Sequence, residues 1–268
     1  MNIIDLQSHS KVYLIGDIHG GFRKLQNTLS ADKNRFQDSV IFIAGDIGFG
    51  FSRNDVYEQV LGDINHCMSE INAYVLLIRG NHDDPSYFEE DKFGFTNVKI
   101  LSDYTVVKTG ILTTICIGGG ISIDRIMRHQ GSTWWIDETV EYDEKEIDEI
   151  TANGIVIDSV LTHTYPRVSE VKGNDKVLAD WMIYDKYLEE DLKKEGEEMI
   201  NIQKKLESLN HIKIWMFGHL HISQLFVNGN TVYVQADCAF TVYDINDALK
   251  LKDKQLLINW EENNEDKK

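Results

Sequence analysis

The sequence predicts an α/β fold built around a mostly parallel β-sheet. Short apolar runs rich in β-branched residues occur at residues 11–15, 40–44 and 74–78. Between them, apolar residues recur at helical spacing over residues 22–29 and 56–71, which indicates amphipathic helices. Strands that alternate with helices in this way are typical of parallel sheets with crossover helices.

The elements after residue 100 predict a second sheet of more mixed direction. They are, in order, two strands within 104–117 joined at Thr109-Gly110, an acidic helix within 139–150, a strand within 154–162, helical sequence over 176–206, a strand at 212–217 and a hairpin within 224–236. The hairpin is indicated by Asn228-Gly229 between alternating residues, a typical two-residue turn. We expect Gly196 to interrupt the helical stretch, which gives two helices or one kinked helix.

We expect one domain over residues 1–260, followed by a charged, frayed tail at residues 261–268. No repeat of fixed period and no proline- or serine-rich linker divides the 268-residue chain. Its length and its 42% of hydrophobic residues are sufficient for a sizeable core without disulfides.

Charge and cysteine content restrict the partners and the location of the protein. The 27 basic and 44 acidic residues give a net charge of −17, which disfavours long nucleic acids unless bound metal adds positive charge. The first ten residues lack a signal-peptide pattern, and no apolar run reaches the roughly 18–20 residues of a membrane helix. The three cysteines, Cys67, Cys116 and Cys238, are widely separated. We therefore expect a cytoplasmic protein whose cysteines are unpaired and buried.

Five polar clusters each follow a predicted strand directly. They are Gly16-Asp17-Ile18-His19-Gly20, Gly45-Asp46, Gly80-Asn81-His82-Asp83, Thr162-His163-Thr164 and Gly218-His219-Leu220-His221. Because ligands bind at the carboxyl ends of the strands in open α/β sheets, we expect these side chains to meet at one edge. One such motif alone is weak evidence, since turns and helix caps use the same residue types. The five together, in this order, indicate a functional site.

The residue types in these clusters predict a transition-metal centre. They supply two carboxylates, one amide oxygen and four imidazoles as ligands, with no thiolate. Such a set suits Mn, Fe, Zn, Co or Ni rather than Ca or Mg. Seven ligands exceed the needs of one ion, so we expect two divalent ions that share a bridging carboxylate.

The ordered motifs resemble the signature of the calcineurin-like metallophosphoesterase superfamily. That signature reads D-x-H, G-D, G-N-H-[DE], a lone His and G-H-x-H, and the match spans Asp17 to His221. The resemblance implies a four-layer α/β/β/α sandwich with two central mixed β-sheets around a dinuclear metal centre. It also implies ligands for the first ion (Asp17, His19 and His221), ligands for the second (Asn81, His163 and His219) and a catalytic bridge (Asp46). His82 would be a catalytic residue that donates a proton or contacts a phosphate oxygen, and not a ligand.

The expected function is metal-dependent hydrolysis of phosphate esters. Metal ions lower the pKa of bound water to about 7, so a metal-bridging hydroxide could attack phosphorus at neutral pH. We expect a phosphomonoesterase that acts on a phosphorylated small molecule, nucleotide or peptide. A phosphodiesterase or a nucleotide or nucleic-acid hydrolase is the alternative. A non-catalytic scaffold of the same fold is disfavoured, because every ligand position of the signature is filled.

Two arginines are the predicted phosphate-binding residues. Protein serine/threonine phosphatases extend the second motif to G-D-x-x-D-R-G, but this sequence reads G-D-I-G-F-G and lacks that Asp and that Arg. The sequence therefore does not identify the residue that orients the His82 imidazole. Arg125 and Arg128 follow the glycine run at residues 118–120, and guanidinium groups match phosphate geometry. The alternative is that both are surface arginines paired with acidic neighbours.

Overall fold

Two β-sheets stacked face to face form the centre of the computed structural model, which describes residues 1–89 and 92–251. The strands in these residues are β1 (Ile3–Leu6), β2 (Lys11–Ile15), β3 (Ser39–Ile43), β4 (Tyr74–Leu77), β5 (Val98–Ile100), β6 (Thr105–Thr109), β7 (Thr113–Ile117), β8 (Ser159–Thr162), β9 (Ile214–Phe217), β10 (Gln224–Asn228), β11 (Thr231–Gln235) and β12 (Tyr243–Asp244). The helices are α1 (Phe22–Ala31), α2 (Lys33–Phe36), α3 (Asn54–Glu70), α4 (Glu144–Ala152), α5 (Asp175–Tyr184) and α6 (Leu188–Leu209). Residues 245–251 are also helical, and short 3₁₀ turns occupy Pro85–Tyr87 and Arg125–Met127.

The smaller sheet has the strand order β12-β2-β3-β4-β5. Strands β2 to β5 pair in parallel, and only the short edge strand β12 runs antiparallel to its neighbour. The helices α1 and α3 lie between consecutive parallel strands and pack on the outer face of this sheet. The predicted crossover pattern of the first hundred residues is therefore confirmed.

The larger sheet has the strand order β1-β6-β7-β8-β9-β11-β10 and is mixed, as predicted. Its central pairs, from β7 to β11, are parallel, whereas β6–β7 and β10–β11 are antiparallel hairpins. The predicted hairpin is confirmed, but its turn lies one residue later than expected. Asn228 ends β10, and Gly229 enters the turn with a φ of 58°.

Each sheet is apolar on both faces because it is covered on both sides. On β3, Val40 and Phe42 point between the sheets, whereas Ile41 and Ile43 point toward α1 and α3. A third core lies between the larger sheet and the helices α4 and α6, where Trp215 is fully buried. The layers follow the order helix, sheet, sheet, helix, which confirms the predicted four-layer fold.

The helical stretch over residues 176–206 breaks at a different place from the predicted one. Helix α5 ends at Tyr184 and α6 begins at Leu188, whereas Gly196 lies inside α6. A Cβ at Gly196 would lie 2.9 Å from the Arg167 guanidinium, so glycine here makes room for a packed side chain. The prediction of a break at Gly196 is wrong. The strand expected over residues 154–162 is confined to β8.

The cysteines and the tail complete the comparison with the sequence. Cys67 and Cys116 are buried and free, as expected, but Cys238 is free and exposed, so its predicted burial is wrong. None of the helices in the described part of the chain combines the length and apolarity needed to span a bilayer. The tail predicted at residues 261–268 lies outside the described residues.

Candidate metal centre

The five polar clusters meet at the carboxyl ends of five parallel strands, three in the smaller sheet and two in the larger. Five candidate residues lie in the loops after β2, β3 and β4 of the smaller sheet: Asp17, His19, Asp46, Asn81 and His82. Three lie in the loops after β8 and β9 of the larger sheet: His163, His219 and His221. Because the sheets are stacked, both sets of loops reach the same end of the sandwich.

Glycine allows these loops to approach one another closely at two positions. A Cβ at Gly80 would collide with the backbone of Asp46. A Cβ at Gly218 would collide with the carboxylate of Asp17. The glycines of the motifs therefore let the loops converge on one point.

Four of the candidate residues have a strained backbone. The φ values of His19, Asp46, His219 and His221 are 43°, 48°, 67° and 56°, in the left-handed region that residues with side chains rarely adopt. Such conformations cost roughly 1–3 kcal/mol each and persist where the surrounding structure imposes them. The fold therefore holds these side chains in orientations that local preference does not select.

The first group of converging side chains comprises Asp17, His19, Asp46 and His221. One ligand atom from each lies within 4.8 Å of the others, so the four could hold a metal ion. His221 Nε2 lies 3.0 Å from Asp17 Oδ2 and 3.0 Å from His19 Nε2. His19 Nε2 lies 3.7 Å from Asp46 Oδ2.

The second group adjoins the first through Asp46. Asn81 Oδ1 lies 2.8 Å from His163 Nε2 and 2.8 Å from His219 Nδ1. His163 Nε2 lies 3.4 Å from Asp46 Oδ1, the oxygen that does not face His19. The two oxygens of one carboxylate therefore face two separate sets of potential ligands.

Hydrogen bonds around the second group show that its residues fit a cation. Asn81 Nδ2 donates to Ser122 Oγ at 3.0 Å, and that hydroxyl donates to Glu138 Oε2 at 2.7 Å, so Asn81 Oδ1 faces the histidines. His163 Nδ1 donates to the Ala44 carbonyl at 2.7 Å, which leaves the lone pair on Nε2. That lone pair faces Asn81 Oδ1. Two acceptors at this distance repel each other unless a cation lies between them.

The electrostatics of the cluster also fit a cation. Burial, and then the neighbouring carboxylates of Asp17 and Asp83, raise the pKa of Asp46 well above its ordinary value. Burial lowers the pKa of His163 and of His219 to about 3, which keeps both imidazoles neutral. Neutral imidazole is the metal-binding form, and a bound cation would offset the repulsion among the carboxylates.

His82 and Arg128 lie beside the two groups of candidate ligands but belong to neither group. The His82 backbone N–H donates to Asp46 Oδ1 at 2.8 Å, and its Nε2 lies 3.9 Å from Asp46 Oδ2 and 3.4 Å from Arg128 Nη2. Asp124 accepts two hydrogen bonds of 2.7 Å from Arg128, and the Thr133 carbonyl accepts a third. Burial, and then the charge of Arg128, lower the pKa of His82 to about 3. His82 Nε2 therefore lies closer to the Arg128 guanidinium than to the Asp46 carboxylate.

Asp83 is a residue whose role the sequence did not reveal. Its carboxylate is fully buried and accepts four backbone N–H groups, at distances of 2.7–3.0 Å, from Ile47, Gly48, Phe49 and Gly80. These bonds tie the loop that carries Asp46 to the loop that carries Asn81. The position of Asp83 directly after Gly-Asn-His was the one sequence feature that could have indicated a role for it. Its hydrogen-bond partners are backbone N–H groups, which no sequence pattern identifies.

Most of the chain matches the model of one protein family. The family model described as calcineurin-like phosphoesterase matches residues 10–223. The chain belongs to the calcineurin-like phosphoesterase family. The resemblance read from the motifs is confirmed, and the protein is a metallophosphoesterase, a hydrolase of phosphoric esters from a family that uses divalent metals.

Comparison with solved structures gives matches at low sequence identity. A protein of Thermus thermophilus matches with a TM-score of 0.50 and 10% identity, over 89% of this chain and 95% of that one. A dimetal phosphatase from Danio rerio matches with a TM-score of 0.49 and 12% identity, over 88% of this chain and 89% of that one. Comparison with curated proteins gives no match. At such identities the likeness concerns the fold alone.

The two arginines proposed to bind phosphate in this phosphoesterase have different surroundings. An open cleft contains the candidate metal ligands; Arg128 lines this cleft, and Arg125 does not. Arg125 Nε donates to Asp185 at 2.7 Å and its Nη2 donates to Asp191 at 2.7 Å. Arg128 also pairs with a carboxylate, that of Asp124, but it lines the cleft. Arg125 pairs with two carboxylates and is not part of the cleft lining, which argues against Arg125 as a phosphate ligand. Its surroundings match the alternative, an arginine paired with acidic residues.

The cluster lies in an open cleft of about 1650 Å³. The polar part of its lining includes Asp46, Asn81, His82 and Arg128. The rest of the lining includes apolar residues from α3, from the loop after β8 and from α5, together with charged residues such as Arg23, Lys24 and Asp63. The cleft is far larger than a phosphate group, so it has room for the rest of a substrate.

Proposed function

We propose that this chain is a phosphomonoesterase with two divalent ions held by seven side chains. The observation that carries the proposal is the pair of ligand groups that share Asp46, each oxygen of which faces a different group. The first ion would bind Asp17, His19, Asp46 and His221, and the second would bind Asp46, Asn81, His163 and His219. The donors suit Mn, Fe, Zn, Co or Ni.

The residues around the ions would bind the phosphoryl group and assist the departure of the leaving group. When bound, two divalent ions lower the pKa of a water molecule and neutralise charge on phosphoryl oxygens. Arg128, oriented by Asp124, would bind a phosphoryl oxygen through its guanidinium. His82 would contact a second oxygen or deliver a proton to the leaving oxygen. Its neutral imidazole has one N–H, which can donate a hydrogen bond to a phosphoryl oxygen, whereas delivery of a proton would require the imidazolium form.

The number of donors favours a monoester over a diester. A phosphate monoester presents three terminal oxygens, and the two ions, Arg128 and His82 would together contact all three. A diester presents only two terminal oxygens to the same four groups, so two of the groups would lack an oxygen of their own. The net charge of −17 also disfavours a long nucleic acid, although a single nucleotide remains compatible with the cleft.

The decisive experiment combines an assay with metal analysis. Purified protein loaded with Mn²⁺ should hydrolyse an aryl phosphate monoester faster than the matching diester, and should contain two ions per chain. Asp46→Asn should bind less than one ion per chain and lose turnover, because it removes the shared carboxylate. Asp55→Asn, on an exposed surface of α3, is the matched control and should behave like the parent.

Other outcomes would point elsewhere. Faster cleavage of the diester would favour the phosphodiesterase alternative. Two tightly bound ions without hydrolysis of either ester would favour a non-catalytic scaffold. Full metal content and normal turnover in Asp46→Asn would contradict the shared role of this carboxylate.

A further inference from the structure

The cleft extends from the metal ligands to one face of α5. Val177, Leu178 and Trp181 of this helix line the same cleft as Asn81 and His82. Trp181 follows Val177 by four residues and Leu178 by three, so both neighbour it on the helix surface. This face of α5 is therefore part of the wall of the cleft that contains the candidate metal ligands.

Helix α5 does not use its apolar residues to build the core. None of its residues is buried, although Leu178 and Trp181 are half-buried. A surface helix in a globular protein normally buries its apolar stripe against another element. Here the stripe faces the space next to the candidate metal centre, so the structure leaves it available to whatever occupies the cleft.

The helix is nevertheless held in place at both ends. Asn174 caps its amino terminus by accepting the Val177 N–H at 3.2 Å. At the other end, Arg125 binds Asp185 and Asp191, which flank the buried Leu188. Arg125 thus anchors the junction between α5 and α6 to the segment that carries Arg128. The wall and the phosphate-facing arginine are parts of one connected surface.

The loop after β8 adds apolar residues and an aromatic ring to the lining of the same cleft. Tyr165, Pro166, Val168 and Val171 line the cleft in the loop after β8. The Arg167 guanidinium lies 4.5 Å from the centroid of the Tyr165 ring, which holds that ring in position. The loop and α5 together therefore offer apolar and aromatic surface to a planar group bound in the cleft.

We infer that the α5 face binds an aromatic ring on the substrate, so the preferred substrates are phosphate monoesters that carry such a ring. The inference rests on the proposed function, which places the phosphoryl group at the metal ligands. The size of the cleft agrees, since about 1650 Å³ exceeds the roughly 300–1,000 Å³ of pockets that take drug-sized ligands. The ring could belong to an aryl ester such as phosphotyrosine or to a nucleotide base.

Binding of two non-hydrolysable phosphonates tests the inference without turnover. Phenylphosphonate and methylphosphonate have the same ionisable group and differ only in the ring. Calorimetric titration of the Mn²⁺-loaded parent should give about tenfold tighter binding of phenylphosphonate, equivalent to about 1.4 kcal/mol. Trp181→Ala should remove this preference by weakening phenylphosphonate alone, and Trp181→Phe should retain most of it. Ile183→Ala, an exposed position of the same helix, is the matched control.

The inference is overturned if the parent binds both phosphonates equally, or if Trp181→Ala weakens both to the same extent. These failures differ from failure of the proposed function, which would show as absence of ester hydrolysis by the metal-loaded parent. The source of the ring follows from kcat/KM for phosphotyrosine and for adenosine 5′-monophosphate. The substrate that loses more in Trp181→Ala carries the recognised ring, and equal kcat/KM in parent and variant for both would contradict the inference.

Discussion

Asp83 illustrates how one buried residue sets the geometry of others. One of its oxygens accepts the N–H groups of Ile47 and Gly80, and the other accepts those of Gly48 and Phe49. Burial nevertheless raises the pKa of this carboxyl to about 6, against the effect of the four hydrogen bonds. The residue therefore connects two loops of the candidate centre at a cost in desolvation.

We expect Asp83→Asn to destabilise the protein by roughly 2–4 kcal/mol, because an amide NH₂ would leave two buried N–H donors without an acceptor. The same change should weaken metal binding, since the loops of Asp46 and Asn81 would lose their common anchor. Urea unfolding and metal titration measure the two effects. Asp84→Asn is the control, because the Asp84 side chain accepts the Ser86 N–H and asparagine retains an acceptor oxygen for that bond. Equal behaviour of the two variants would contradict the anchoring role.

Arg128 is the residue on which substrate affinity should depend most directly. We expect Arg128→Ala to raise KM or lower kcat/KM by roughly 10- to 100-fold, since charge-assisted hydrogen bonds contribute about 1.5–3 kcal/mol each. Arg128→Lys should rescue this only in part, because a point charge does not replace the guanidinium fork. Metal content should remain unchanged. Steady-state kinetics within twofold of the parent, as expected for the exposed Arg53→Ala, would show that Arg128 does not bind phosphate.

Helix α6 carries a buried acid whose charge the fold does not fully compensate. Glu195 is 3% exposed, and Arg167 Nη2 lies 3.9 Å from its Oε2, too far for a hydrogen bond. Burial raises the pKa of Glu195 to about 7. Gly196 next to it leaves space for the same arginine, so this turn of α6 is shaped around Arg167.

We expect stability to fall with rising pH because of Glu195. Between an ordinary pKa near 4.5 and the folded value near 7, the folded state holds a proton that the unfolded state has released. The free energy of unfolding therefore decreases across this window, and the loss is complete above it. Glu195→Gln should match the parent near pH 5 and exceed its stability by up to about 3 kcal/mol at pH 8.

Thermal denaturation of both proteins at the two pH values, with the same saturating metal, measures this difference. The control is Glu190→Gln, an exposed position on the same helix, which should show the pH dependence of the parent. A parallel pH dependence of the Glu195→Gln variant and the parent would show that the Glu195 carboxyl is not protonated in the folded state.

On the scale of the whole molecule, the candidate ligands connect the two sheets. Asp17, Asp46 and Asn81 follow strands of the smaller sheet, whereas His163 and His219 follow strands of the larger one. Ions bound among them would link both sheets at one end of the sandwich. Metal binding and global stability should therefore be coupled.

We expect removal of metal to lower the melting temperature. A ligand at one hundred times its dissociation constant stabilises the folded state by about 2.7 kcal/mol, which corresponds to roughly 5–10 °C for a domain of this size. Calorimetry of chelator-treated protein with and without added Mn²⁺ measures the shift. Asp46→Asn should lose most of it, and a parent protein insensitive to Mn²⁺ would contradict the assignment.

Much of the fold was determined by local sequence pattern. The strand predicted at residues 11–15 is β2, and the helix predicted over 22–29 lies within α1, because both carry clear apolar periodicity. The predictions missed β1, β5 and β12, which have two to four residues and are too short to show a period. Five polar motifs in a fixed order also identified the family, since each is contiguous in the chain.

What only the tertiary structure decided concerns residues whose partners are distant in sequence. Arg125 and Arg128 are three residues apart and look equivalent in the sequence. Asp185 and Asp191, which lie 60 and 66 residues further along the chain, contact Arg125, whereas Arg128 pairs with the nearby Asp124 and lines the cleft. A side chain's role depends on the groups that surround it in space, and folding alone brings those groups together.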